Sequence, residues 1–233
     1  MMHYTRTVEG RFLHRPNRFI ALVDIGGTVE TVHVKNTGRC AELLVPGARV
    51  VLEQAAPGAP RRTAYSLIAV YKGELLINMD SQAPNRVVLE AALSGQLDNV
   101  AGEPLAAVRP EMRFGSSRFD LYWETVSGVK AFMEVKGVTL EQDGIVRFPD
   151  APTARGTRHV LEMVEAVRAG YRGHLLFLIQ MNGVSLFEPN AVMDPAFAQA
   201  LRVAASSGVQ VLAYDTWVTP DSMVLGEPVE VVL

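Results

Sequence analysis

Along residues 7–72, apolar and polar positions alternate in short runs that turn residues interrupt, the period-2 pattern of half-buried strands. The runs cover 7–14, 18–24, 29–34, 48–53 and 63–71. Gly26-Gly27 falls between the second and third, as a tight hairpin requires, and the Pro/Gly-rich stretch 55–62 separates the last two. Five short strands in so few residues predict a small closed or half-closed barrel of the OB type, with any other small β-barrel or sandwich as the alternative.

From about residue 85 the period changes. Residues 87–94 read as a short helix ended by Gly95, and 108–114, 118–124 and 130–138 as three strands. A loop follows over 150–158. An amphipathic helix is expected over 159–169, with Val160, Leu161, Val164 and Val167 on its apolar face and Gly170 closing it. The apolar run inside 174–180 reads as a buried strand, and Asp194-Pro195 as the cap and first position of a helix over 194–207. A last strand is expected over 209–214. This order, helix, three strands, helix, strand, helix, strand, predicts a mixed sheet flanked by helices. The chain thus reads as α/β, with an OB-like barrel over 1–82 and a mixed-sheet domain over 83–233.

Composition adds little to this and excludes several classes. The 48% hydrophobic and 20% charged residues are ordinary for a globular protein, and no apolar run reaches the ~20 residues of a membrane span. Met1 to Arg6 contains no apolar signal-peptide core, so a cytoplasmic location without membrane contact is expected. The single cysteine, Cys40, allows no intramolecular disulfide and no cysteine-based zinc site. The net charge of −3 is unevenly spread, +3 over residues 1–80 and −6 over the remainder. A basic part joined to an acidic one suits a nucleic-acid grip beside a metal-binding part.

The chemistry concentrates in two strands. Glu134 and Lys136 share one face of theirs, with Met133 and Val135 on the other; in its neighbour, Asp120 lies opposite Phe119, Leu121 and Trp123. If the strands pair with these faces matched, Asp120, Glu134 and Lys136 converge. The two carboxylates and the Val135 carbonyl would supply hard oxygen ligands to Mg²⁺ or Mn²⁺, and Lys136 would neutralise charge at a reacting phosphodiester. The plain alternative is a surface Glu–Lys pair. Glu90, in an otherwise apolar helix, is a candidate outer metal ligand or a solvent-edge residue. Gln180, at the end of its strand, would point into the same cleft or bond locally. Arg155 and His159, straddling a helix start, would hold a phosphate, and Arg118 is grouped with them. In the barrel, Arg15, Arg18, Lys35, Arg39, Arg61 and Arg62 interleave with Tyr4, Phe12, Phe19, Tyr65 and Tyr71. Basic grooves with aromatics are how OB folds hold single strands. The turn Asn36-Thr37-Gly38, with Asn36 beside Lys35, would add a phosphate contact.

An acid followed by Glu-x-Lys on the next strand resembles the PD-(D/E)xK nuclease pattern. Runs spread along the chain resemble, in order, the sugar fermentation stimulation protein family. They include Gly10-Arg11-Phe12, Asn36-Thr37-Gly38-Arg39-Cys40, Val45-Pro46-Gly47, Ala83-Pro84-Asn85, Gly115-Ser116-Ser117-Arg118-Phe119-Asp120, Glu134-Val135-Lys136-Gly137 and Arg155-Gly156-Thr157-Arg158-His159. The resemblance implies an N-terminal OB-like domain, a C-terminal PD-(D/E)xK-type domain, DNA or RNA as partner and metal-dependent nuclease activity at Asp120, Glu134 and Lys136. Such nucleases often form homodimers. The competing reading is a non-catalytic DNA-binding regulator of sugar-utilisation genes; a sugar-modifying enzyme finds no dinucleotide or phosphate-loop motif in support.

Overall fold

The computed structural model describes residues 2–36, 38–58 and 60–233. Its first strand, β1 (Met2–His3), is not part of the barrel; it pairs with the strand near the far end of the chain, β16 (Ser222–Val231). The barrel follows as β2 (Thr7–Asn17), β3 (Ile20–Ile25), β4 (Thr28–Val34), β5 (Arg49–Gln54) and β6 (Tyr65–Lys72), with β7 (Leu75–Asn78) added beside β6. The order is β4-β3-β2-β5-β6-β7, and a parallel β4–β6 pairing at His33↔Ser66 and Val34↔Leu67 closes it. Gly26 and Gly27 both have positive φ, 60° and 89°, which suits a tight two-residue hairpin turn. Phe12, Val23, Val32, Val50, Leu52 and Leu67 fill the interior from alternate positions, as the period-2 pattern predicts.

The second part is a ten-stranded mixed sheet. The remaining elements are α1 (Ala83–Leu93), α2 (Asp98–Ala101), β8 (Leu105–Phe114), β9 (Ser117–Thr125), β10 (Lys130–Val138), β11 (Leu140–Gln142), β12 (Ile145–Phe148), α3 (Ala154–Arg168), β13 (Arg172–Ile179), β14 (Leu186–Pro189), α4 (Pro195–Ser206) and β15 (Gln210–Thr219). The order is β11-β12-β14-β16-β15-β13-β10-β9-β8, with β10, β13 and β15 parallel and joined by crossovers through α3 and α4. Helices α3 and α4 pack with Leu175, Phe177 and Ile179 on one face; α1 packs with Leu176 and Leu178 on the other. Covered on both faces, β13 is therefore a continuous apolar run.

Several elements differ from the sequence expectation. Helix α3 starts at Ala154, five residues before the expected start, because the Thr153 side chain caps it by accepting from the Gly156 amide at 3.0 Å. Asp194 caps α4 as expected, accepting from Phe197 N at 2.9 Å. The strand over 209–214 is not the last. β16 follows it, hidden in the sequence by Gly226 and Pro228, residues that normally weaken strands. The short strands β7, β11, β12 and β14 were likewise too brief to read from periodicity.

A polar joint holds the two parts together. The Gln180 side-chain amide is buried and donates to Asn78 O (3.1 Å), Asn78 Oδ1 (3.1 Å) and Asp80 O (3.2 Å). Asn78 Nδ2 donates to Tyr4 Oη at 2.9 Å, and Lys35 pairs with Asp80 at 3.1 Å. Gly137 lies against this joint. A Cβ there would stand 2.5 Å from Gln180 Oε1 and 2.7 Å from Pro84 Cγ, so the close approach of β10 requires glycine.

Candidate active site

β9 and β10 pair through Met133↔Leu121 and no further, so the strands part where Asp120 and Glu134 begin. Asp120 Oδ2 reaches across the gap and accepts from Val135 N at 2.8 Å, while Oδ1 accepts from Asn85 Nδ2 at 2.7 Å. The expected alternation of β9 breaks here. Phe119 packs with Phe114 and Phe132 on the α3 side, whereas Leu121 and Trp123 pack on the α1 side. Opposite Asp120, by the β8–β9 register, Glu111 has φ 56°, a left-handed conformation unfavourable for a residue with a Cβ. Both strands therefore turn at the same rung, and the turn presents Asp120 to a cleft.

We expect Glu111→Gly to leave the melting temperature unchanged or raise it, since glycine relieves a strain of about 1 kcal/mol. A clear fall would mean that the Glu111–Arg118 ion pair, 3.3 Å long and exposed, outweighs the strain.

The cleft has a volume of about 690 Å³. Asp120, Glu134, Val135 and Lys136 form its floor, Arg155, Arg158 and His159 of α3 line one wall, and Glu111 and Arg118 another. Glu134 is 2% exposed and its two oxygens differ sharply. Oε1 accepts from Lys136 Nζ at 2.5 Å and from His159 Nδ1 at 2.6 Å. Oε2 is buried with no hydrogen-bond partner among the described residues. A carboxylate oxygen only accepts, so the His159 ring donates to it through Nδ1. Burial, and then the charge of Glu134, pushes the Asp120 carboxyl above its ordinary range, against the opposing pull of Val135 N–H, Lys136 and Asn85.

The candidates separate cleanly. Asp120, Glu134, Val135, Lys136, Arg118, Arg155 and His159 meet in the cleft, where His159 spends Nδ1 on Glu134. Arg155 and His159 both lie within α3, since it starts earlier than expected. Glu90 is elsewhere. It pairs with Arg86 at 3.1 Å and faces a separate groove beside Met223, Val224 and Leu225, because the face of α1 that meets the cleft is the one bearing Asn85. Gln180 serves the joint and borders an adjoining groove of about 320 Å³, not the cleft.

In the barrel, Arg15 does not face solvent as a grip. Its guanidinium donates to the carbonyls of Arg18, Asn36, Gly38 and Arg39, clasping two loops. Lys35 is held by Glu53 at 3.0 Å and by Asp80. Asn36 Oδ1 accepts from Gly38 N at 2.7 Å and borders the 320 Å³ groove; Thr37 lies outside the described residues. Arg18 and Arg39 are exposed, as is Phe19, but Tyr4 and Phe12 are buried. Sequence reasoning missed Asn85 and Arg158 as parts of the cleft. Both stand in quoted motif runs, and only the folded geometry shows what they touch.

A family model for the sugar fermentation stimulation protein RE domain matches residues 82–222, and one for the SfsA N-terminal OB domain matches 13–79. A sugar fermentation stimulation protein homolog of Alkaliphilus oremlandii is 56% identical, the match covering 99% of this chain and 98% of the relative.

The chain belongs to the sugar fermentation stimulation protein family.

A homolog from Clostridium botulinum strain Loch Maree is 47% identical over 99% of both chains. SfsA of Pyrococcus furiosus, solved in complex with Ca²⁺, superposes with a TM-score of 0.87 at 27% identity, covering 100% of this chain and 98% of that one. The match spans barrel and mixed sheet, so the SfsA architecture extends over the whole chain. No helix among the described residues is long and apolar enough to cross a membrane.

Proposed function

We propose that this SfsA-family protein is a metal-dependent nuclease that hydrolyses phosphodiester bonds of DNA or RNA. The observation that carries the reading is the divided state of Glu134: Oε1 is held by Lys136 and His159, Oε2 is buried without a hydrogen-bond partner among the described residues, and the charge of Glu134 helps raise the Asp120 carboxyl. Two carboxylates kept close and out of water repel each other, and a divalent cation relieves that repulsion. The donors are hard oxygens, from Asp120, Glu134 and the Val135 carbonyl. That set suits Mg²⁺ or Mn²⁺, which binds through one or two carboxylates and keeps several waters. The Ca²⁺ complex of the Pyrococcus relative supports a divalent ion in this family.

The bound ion would polarise the phosphodiester and make a bound water acidic enough to attack. Lys136 brings a positive charge to the floor of the cleft, where charge develops on the phosphoryl oxygens. His159 and Lys136 fix the rotation of the Glu134 carboxylate, so Oε2 keeps its place. Arg155 and Arg158, neither of them ion-paired among the described residues, and Arg118 opposite give the walls the charge that backbone phosphates require.

The test is incubation of the full chain with labelled single-stranded DNA, duplex DNA and RNA in Mg²⁺, Mn²⁺ or EDTA. Cleavage in metal and none in EDTA is expected. Binding without turnover under every metal condition would replace this reading with a non-catalytic nucleic-acid-binding regulator. Metal alone should also stabilise the protein. At a hundredfold excess over Kd the gain is about 2.7 kcal/mol, roughly 5–10 °C in melting temperature for a chain of this size. Scanning calorimetry with and without Mn²⁺ measures it.

A further inference from the structure

Two of the motif runs, Gly10-Arg11-Phe12 and Val45-Pro46-Gly47, take no part in the cleft. Both border a separate cavity of about 580 Å³ on the barrel, which shares no lining residue with it. Arg11 of β2 and Arg49 of β5 are direct cross-strand partners there. They point outward, since the next residues, Phe12 and Val50, fill the barrel interior. Like charges placed directly opposite on a sheet are destabilising, so the pair needs a reason.

Among the described residues neither guanidinium forms an ion pair; Asp24 of β3, the other cross-strand neighbour of Arg11, accepts from Gly27 N instead. Arg49 lies over the Tyr71 ring, 3.8 Å from its centre, and Arg11 Nη1 donates to Gly47 O at 3.2 Å. Among the described residues, Glu42 and Glu74, which also line the cavity, pair with neither guanidinium, and Lys72 is taken by Glu141. The ring and the carbonyl orient the two planar forks while leaving most of their N–H groups unspent. Two adjacent, preoriented forks are suited to the oxygens of a phosphate.

We propose that the Arg11–Arg49 cavity binds a backbone phosphate of a nucleic-acid strand, as an anchor on the barrel apart from the cleft. The proposal rests on the nucleic-acid reading for the identity of the polyanion and is independent of whether the cleft cleaves.

The experiment is therefore run in EDTA, where no cleavage occurs. Binding of labelled single-stranded DNA to the full chain and to the Arg11→Ala/Arg49→Ala protein is followed by anisotropy across a salt series. Loss of two phosphate contacts should weaken binding by roughly tenfold and flatten the log K against log salt slope by about 1.4. In parallel, the side-chain Nε–H resonances of Arg11 and Arg49 in the wild-type protein are followed by NMR with DNA, with ATP and with pyrophosphate. This arm does not depend on the variant folding. Shifts with DNA, together with the flattened slope, support the anchor. Unchanged affinity and slope overturn it; if ATP or pyrophosphate then still moves both resonances, the ligand is a free phosphate compound. Still resonances under all three additions overturn the site itself.

Discussion

Asp120→Asn is expected to lower metal-dependent cleavage by about 10³-fold or more, the scale of losing a preorganised electrostatic group, while leaving nucleic-acid affinity nearly unchanged. Asparagine has the shape of aspartate and can still accept from Val135 N, the bond that spans the gap between β9 and β10. Turning the Asn85 amide would restore the second contact. What disappears is the negative charge, and with it half of the carboxylate pair. The stabilisation by Mn²⁺ should vanish as well. The pH dependence provides an independent check. The folded Asp120 carboxyl titrates above its unfolded range, so between the two the native state holds the extra proton, and stability falls as pH rises through that window. At neutral pH without metal, the Asp120→Asn protein should therefore equal or exceed the wild type in stability, and the difference should close in acid. Lys136→Ala should also abolish cleavage but preserve the metal-induced stabilisation, because its partner Glu134 retains both oxygens. Unchanged cleavage in the Asp120→Asn protein would sink the site assignment.

The second large effect lies away from the cleft. His174 is buried in β13, its ring 4.8 Å from that of Trp123, and its pKa is lowered to about 4. Burial is the main cause; Gln210 opposes it and Arg172 adds to it. The unfolded chain takes up a proton near pH 6.5 and the folded one resists until about pH 4, so stability is lost as pH falls through that interval. The loss amounts to about 3 kcal/mol, set by the separation of the two values. In a His174→Leu protein this contribution is gone, so its denaturation midpoint should decline far less between pH 6.5 and 4. Urea titrations at four or five pH values would show it. Parallel profiles for the two proteins would mean that His174 titrates normally in the fold. Asp120 acts in the opposite direction over part of the same range, so the Asp120→Asn, His174→Leu double variant separates the two contributions.

Much of this protein was legible from local pattern. Alternation along 7–72 marked the short strands, because one face of each must be buried and the period follows from that demand; the β4–β6 pairing closed them into a barrel. Asp194-Pro195 marked the start of α4 for an equally local reason: a side-chain cap and a fixed φ act within one turn. The i, i+2 spacing placed Glu134 and Lys136 side by side without knowledge of any neighbour.

Contacts between distant segments decided the rest. Glu90 suited a ligand role by composition, but the packing of α1 against the sheet turned Asn85 to the cleft instead. Arg15 and Lys35 looked like free cations and proved to be committed to carbonyls and carboxylates up to 45 residues away. His159 meets Glu134 only because the β10–α3–β13 crossover lays the helix over the parting of β9 and β10. The chemical inventory of the site, two carboxylates and a lysine, was a property of the sequence. Which oxygen is held and which is left bare is a property of the tertiary structure, since a carboxylate has two equivalent oxygens until its surroundings make them different.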